Sequence, residues 1–246
     1  MTFYVSKVST FPPMERDLQI VARHEITAGK RALTTHILTD VKQIQAVLKT
    51  IQAWKGIIQD RVGESRAEHQ RSRTEETGEA LGNDLARKAE YIDLLGYFDL
   101  SLSKYVRDKA IDPQSRVLVS ISVEEGDVNI QALALCKAYA EKKIVELKYL
   151  ASAPWNLSMH GANKEENQSL VTRGCGTLLV CDIYRLAQRE GLSSLRLKPL
   201  PGSESFYLGQ IQMLVDEKER ELYLDVHPED PLPRLSELES KYSIVT

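Results

Sequence analysis

Cysteine is scarce in this 246-residue chain: Cys136, Cys175 and Cys181 are odd in number and have no metal-ligand spacing. That rules against a disulfide-stapled framework and suits a reducing compartment. Histidine is equally thin. His24, His36, His69, His160 and His227 are scattered, with no two at helical or hairpin ligand spacing, so no metal site is expected. No apolar run is long enough to cross a bilayer, and Met1-Thr2-Phe3-Tyr4 lacks the basic and apolar regions of a leader. A soluble, cytoplasmic protein is the expectation. Excess charge is missing too: 32 Lys and Arg stand against 35 Asp and Glu, a net −3. Bulk attraction to nucleic acid or to a membrane is therefore not expected. Neither common nucleotide fingerprint occurs, since there is no Gly-Lys-Ser/Thr and no three-glycine turn with a later acidic ribose ligand.

What is present suffices for one sizeable core with an appended subdomain. Residues 1–38 form an N-terminal segment. Within it Asp17 to Ile26 alternates and Arg31 to Leu38 is β-branched, so one of them could supply a first strand, after a break at Pro12-Pro13. Residues 39–113 form a helical hairpin region. Asp40 caps a helix whose stripe is Val41, Ile44, Leu48, Ile51 and Ile58, flanked by Val47 and Trp54. A second helix starts at Asn83 or Asp84, with Leu85, Ala89, Ile92, Leu95, Leu102 and Val106 as its stripe, widened by Leu94, Phe98 and Tyr105. Between them Gly63 to Ala80 holds almost no aliphatic residues and reads as a solvated helix or, the favoured reading, a polar, mobile connection.

Beyond Pro113 strands take over. Val117–Val123, the turn Glu124–Asp127, Val128–Tyr139, the turn Ala140–Lys143 and Ile144–Leu150 describe an antiparallel meander. Pro154 ends the third strand, and Trp155 to Ser169 is a long polar link. Then comes Thr172-Arg173-Gly174-Cys175-Gly176-Thr177, opening the apolar helical run Leu178 to Ala187, which Gly191 closes. A helix start leaves backbone N–H groups unpaired at a positive dipole end, the glycines let an anion approach closely, and Arg173 adds a fork suited to phosphate oxygens. Two glycines also serve simply to turn a chain. Leu195–Leu197, Ile211–Val215 and Glu221–Val226 complete the strands, and residues 228–246 form a tail with a short helix over Leu235 to Tyr242.

The run Arg173-Gly174-Cys175-Gly176-Thr177-Leu178 resembles the acyl-CoA-binding turn of the GCN5-related N-acetyltransferases, Gln/Arg-x-x-Gly-x-Gly/Ala. Arg173 and Gly176 fit; Leu178 departs from the small last residue. Downstream, Leu195–Leu197, Pro199-Leu200-Pro201, Ser205-Phe206-Tyr207 and Gly209 are similar to the family's strand, short helix and Phe-Tyr…Gly segment. The resemblance covers residues 116 to about 226. It implies an α+β fold: a mixed, mostly antiparallel twisted sheet flanked by helices, splayed beside the third meander strand, with residues 114–227 as the acyl-CoA-binding core and the N-terminal helices as an insertion.

The resemblance also implies acetyl-CoA as substrate, its pantetheine arm on the backbone of Leu150, Ala151, Ser152 and Ala153. The diphosphate would rest on Arg173, Gly174, Cys175, Gly176, Thr177 and Leu178. Tyr207 is implied as the acid that protonates the leaving thiolate, its other role being packing beside Phe206. Glu146 is implied as a base, its other role being an exposed sheet residue. Cys175 is read as passive. Pro199-Leu200-Pro201 stands where many members carry an Asn. The expected activity is transfer of an acetyl group to an unidentified amine, small molecule or protein. The alternative is a CoA-binding or interaction protein that keeps the fold without transfer. Oligomeric state is left open.

Overall fold

Alternating β-branched and apolar residues build three long strands, β3 (Ser115–Glu124), β4 (Asp127–Tyr139) and β5 (Ile144–Ser152), joined as an antiparallel meander. The computed structural model describes residues 19–26, 31–71, 75–124, 127–157 and 174–226. Both N-terminal candidates are strands, β1 (Gln19–Ile26) and β2 (Arg31–Leu38), and both pair into the same sheet. After the meander come helix α3 (Cys175–Arg189), then β6 (Ser194–Leu197), β7 (Leu214–Asp216) and β8 (Glu221–Asp225). The eight strands lie in the order β1-β2-β3-β4-β5-β6-β8-β7. Every neighbouring pair is antiparallel except β5 with β6, which the α3 crossover makes parallel. The mixed, mostly antiparallel α+β architecture expected from the sequence is therefore the one observed. The segments around Pro12-Pro13 and from His227 to the end lie outside the described residues.

Each face of the sheet has its own core. On one, Leu118, Ala134, Val145, Leu147 and Leu195 pack against Leu178, Leu179, Ile183 and Tyr184 of α3. On the other, Val117, Val119, Leu133 and Leu135 meet the hairpin of α1 (Val41–Arg71) and α2 (Glu75–Asp108), which is inserted between β2 and β3. Helix α1 starts as expected. Asp40 Oδ1 accepts the Lys42 N–H at 2.7 Å, and Gln43 reaches back to the Asp40 N–H at 3.2 Å. Ile44, Val47, Ile51, Trp54 and Ile58 are fully buried, with the Trp54 ring edge-on to Trp155 at 6.2 Å.

Two expectations for the hairpin need correction. The polar stretch 63–80 is helical rather than a mobile connection, as far as it is described: α1 runs on to Arg71 and α2 begins at Glu75. The buried face of α2 is also rotated from the apolar stripe. In its first half Asp84, Lys88 and Tyr91 point inward, while Leu85 and Ile92 are half-buried and Ala89 is exposed. The cause is a polar seam between the helices. Lys88 Nζ lies 2.7 Å from Asp84 Oδ2 and 2.6 Å from Ser65 Oγ, while Arg61 Nη1 donates to the Pro154 carbonyl at 3.2 Å. Satisfied polar groups can be buried as readily as leucine, and hydrophobic periodicity does not register them.

Candidate functional site

The pairing of β5 with β6 lasts four residues, Ile144 to Leu147 against Ser194 to Leu197. Beyond that, Lys198-Pro199-Leu200 turns away, while β5 continues to Ser152, paired with β4 at every residue but Lys148. The sheet therefore splits beside the last five residues of β5. The Ala153 N–H donates to the Gln131 carbonyl on β4 at 2.9 Å. Alternation along the strand then points the N–H and C=O of Leu150 and Ser152 away from β4 and into the split. Ala151 and Ala153 are buried on the hairpin side, and Leu150 packs toward α3. Lys148 has no partner on β4, because the register slips between Leu135 and Cys136, so a bulge lies at the closed end of the split.

Helix α3 begins at the open end. Gly174 is its N-cap with φ 82°, a left-handed conformation that costs glycine little, and no side chain caps the helix there. The first intrahelical bond runs from the Leu178 N–H to the Gly174 carbonyl at 2.9 Å, leaving the amides of Cys175, Gly176 and Thr177 without intrahelical acceptors. Both walls of the split meet this turn. A Cβ on Gly176 would stand 3.0 Å from Ser152 Oγ of β5, and the Thr177 hydroxyl lies 3.5 Å from Gln210 Oε1 on the segment that follows β6. Arg173 lies outside the described residues.

Cys175 is turned inward. Its thiol donates to the Gln131 carbonyl and accepts from Asn156 Nδ2, both at 3.3 Å. Burial pushes the thiol up to about 11, against smaller opposing contributions from Ser152, the Gly176 amide and Asn156. Burial likewise raises Cys136, and it raises Cys181 to about 12. A thiol needs its anion to react. All three cysteines should therefore resist iodoacetamide at pH 8 in the folded protein and react fully in denaturant, as mass spectrometry of the labelled chain would show. Rapid labelling of Cys175 in the native state would contradict its passive role.

Tyr207 sits in a π-helical turn, Phe206–Ile211, on the α3 side of the sheet. Its ring stands edge-on to Phe206 at 4.9 Å, and its backbone carbonyl accepts the Met213 N–H at 3.0 Å. The side chain is buried, and burial, with a lesser contribution from Cys136, lifts its hydroxyl well above the usual phenol range. Glu146 lies on the opposite face. Val145 and Leu147 point to α3, so Glu146 faces the hairpin, where it is paired with Lys148. The structure thus brings the expected cofactor-binding residues that it describes around one split and sets the two expected catalytic residues on opposite faces of the sheet.

Sequence reasoning did not find the contribution of α2. The Tyr91 hydroxyl donates to the Ser152 carbonyl, tying α2 to the near wall. A Cβ on Gly202, beyond β6, would lie 2.6 Å from Glu90 Oε2, so the same helix also reaches the far wall. A groove of about 550 Å³ runs along the outer seam of the hairpin, between Gln52, Lys55 and Gly56 of α1 and Gly96, Tyr97 and Leu100 of α2. None of the residues expected to act lines it. Among the described residues no cluster of His, Cys, Asp or Glu is arranged to hold a metal, and no helix is long and apolar enough to cross a membrane.

No protein-family model matches the chain, and no curated protein matches it. Solved structures do. They include Tetrahymena GCN5, at 12% identity and TM-score 0.35 over 52% of this chain and 78% of that one. Nourseothricin acetyltransferase matches at 13% identity and TM-score 0.33, over 48% of this chain and 71% of that one. A cAMP-binding acyltransferase from Mycobacterium smegmatis matches at 16% identity and TM-score 0.36, over 57% of this chain and 39% of that one.

Proposed function

We propose that the chain is an N-acetyltransferase that moves an acetyl group from acetyl-CoA directly to an amine. One observation carries this reading: a split in the sheet, lined by backbone groups of β5 that β4 does not use, leads from the uncapped start of α3. An anion of the size of a diphosphate suits the amides of Cys175, Gly176 and Thr177, together with Arg173 and the turn residues Gly174 and Leu178. A narrow amide-bearing chain suits the backbone of Leu150 to Ala153, as an added strand suits an open sheet edge. Gly176 lets the start of α3 sit close against β5, where a side chain would crowd Ser152 Oγ at 3.0 Å, so the unpaired amides and the strand backbone lie side by side.

Acetyl-CoA supplies an acyl group on a good leaving thiolate. The chain's own groups supply the rest. Glu146 takes the proton that the attacking amine loses as its nitrogen bonds to the carbonyl carbon. The Leu150 amide donates to the carbonyl oxygen. Tyr207, kept protonated by burial, gives its proton to the sulfur as the carbon–sulfur bond breaks. The products are an amide and a free thiol, and solvent returns the proton from Glu146 to the phenolate. One observation favours the alternative, a CoA-binding protein without transfer: the Glu146 carboxylate is already engaged by Lys148.

Titration calorimetry with acetyl-CoA, followed by thiol release in the presence of primary amines, tests the reading. Micromolar binding with amine-dependent thiol release is expected. Binding without release leaves the alternative, and no heat at millimolar acetyl-CoA removes both.

A further inference from the structure

Helix α2 presents Glu90, Leu94 and Tyr97 along one side, at the i, i+4, i+7 spacing of a single helical face. The contact of Glu90 with Gly202 turns the Glu90 end of this side toward the split, while Tyr97, two turns on, also borders the groove between α1 and α2. Glu90 makes no ion pair or hydrogen bond with any of the described residues. Two turns further on, the Tyr97 ring lies parallel to Tyr149 of β5, with centroids 6.0 Å apart and planes 10° apart. Phe98, fully buried, grips the Tyr149 ring as well, at 5.3 Å and 53°. Tyr149 is next to the bulge at the closed end of the split.

A single exposed aromatic ring on a protein surface is ordinary. Tyr97 differs in two respects. It is 52% exposed yet held in a fixed plane by stacking, and Leu100, 74% exposed, extends the same apolar surface by one turn. A flat, immobile ring beside a cleft binds flat groups at little entropic cost, and its face also attracts a cation. Glu90 adds a negative charge to the same wall.

We propose that Tyr97 and Tyr149 form the platform for the acceptor, and that the acceptor is an amine carried on an aromatic or similarly flat apolar body, entering from the hairpin face. The word acceptor rests on the transferase reading; the platform does not. The ring of the ligand lies on Tyr97, and its ammonium end is drawn toward the carboxylate of Glu90, opposite the face that holds Tyr207.

The probes are 2-phenylethylamine and n-propylamine, which share an amine and differ in the ring. Binding is followed by protein-observed NMR with saturating CoA and again without it. 2-Phenylethylamine is expected to bind about tenfold more tightly than n-propylamine. Tyr97→Ala should remove about five- to tenfold of its affinity, and Tyr97→Phe should restore it, while n-propylamine changes less than twofold. Equal affinity for the two amines, or an equal loss of both on Tyr97→Ala, overturns the platform. Calorimetry with CoA on the same samples keeps the two ideas apart: absent CoA binding with intact ring selectivity defeats the transferase reading and leaves the platform standing.

Discussion

Gly176→Glu is expected to lower the affinity for acetyl-CoA by at least about 100-fold while the folded chain survives. The position is the second residue of α3, where a Cβ would already meet Ser152 Oγ at 3.0 Å. A carboxylate there takes the place of the anion and repels it. Two unit charges about 4 Å apart near a protein surface interact by about 4 kcal/mol before salt screening, and about 2.8 kcal/mol of that gives a 100-fold loss. The helix itself gains, because an acidic side chain suits the positive end of its dipole. Loss of binding would therefore not be loss of fold, which a thermal midpoint within about 3 °C of wild type, about 1 kcal/mol, would confirm. Gly176→Ala is the graded companion. Its methyl group meets only the end of a serine side chain, so a smaller loss is expected, recovered when Ser152→Ala is added. Undiminished affinity of Gly176→Glu in calorimetry would remove this turn from the site.

Tyr207→Phe should lower kcat about 100-fold and leave the KM for acetyl-CoA within about twofold, the pattern of an interaction made in the transition state only. The substitution deletes one oxygen and keeps the ring against Phe206. The sign of the pH effect follows from burial, which favours the neutral phenol and raises its pKa. The proton donor is thus not lost as the pH passes the ordinary phenol value of about 10, and kcat should show no descending limb between about pH 8 and 10 from this group. In stability terms the contribution is complete below about pH 10 and is lost above it, where the unfolded phenol ionises and the folded one does not. An unchanged kcat in Tyr207→Phe would reduce the residue to packing and favour the binding-protein alternative.

Strands and helices whose burial is apolar could be read directly from the sequence: the meander, the α3 start at Gly174, and Ile44, Val47, Ile51, Trp54 and Ile58 of α1. Elements buried through hydrogen bonds could not. Asp84, Lys88 and Ser65 look like solvent-facing residues in a one-dimensional pattern, yet they hold the seam that keeps 63–80 helical where it is described. The site followed the same rule. The split was anticipated through the resemblance, at the β5 residues that line it. The reach of α2 to both walls, by Tyr91 and Glu90, depends on contacts between residues some sixty to more than a hundred positions apart, which no local pattern encodes. The π-helical form of Phe206–Ile211 was also unreadable, since the extra residue per turn leaves no compositional trace.

The insertion of the hairpin between β2 and β3 sets the order in which the chain can assemble. Thr35 pairs with Ser120, and closing that register directly would mean ordering a loop of about eighty residues, slow because the entropy is lost before any ladder bond repays it. A hairpin that collapses first on its own short-range contacts shortens the gap and delivers both strand ends together. On this view the helical hairpin is the kinetic gatekeeper of the sheet as well as its cover, and a weakened seam between α1 and α2 would delay the arrival of β1 and β2 more than that of β3 to β5.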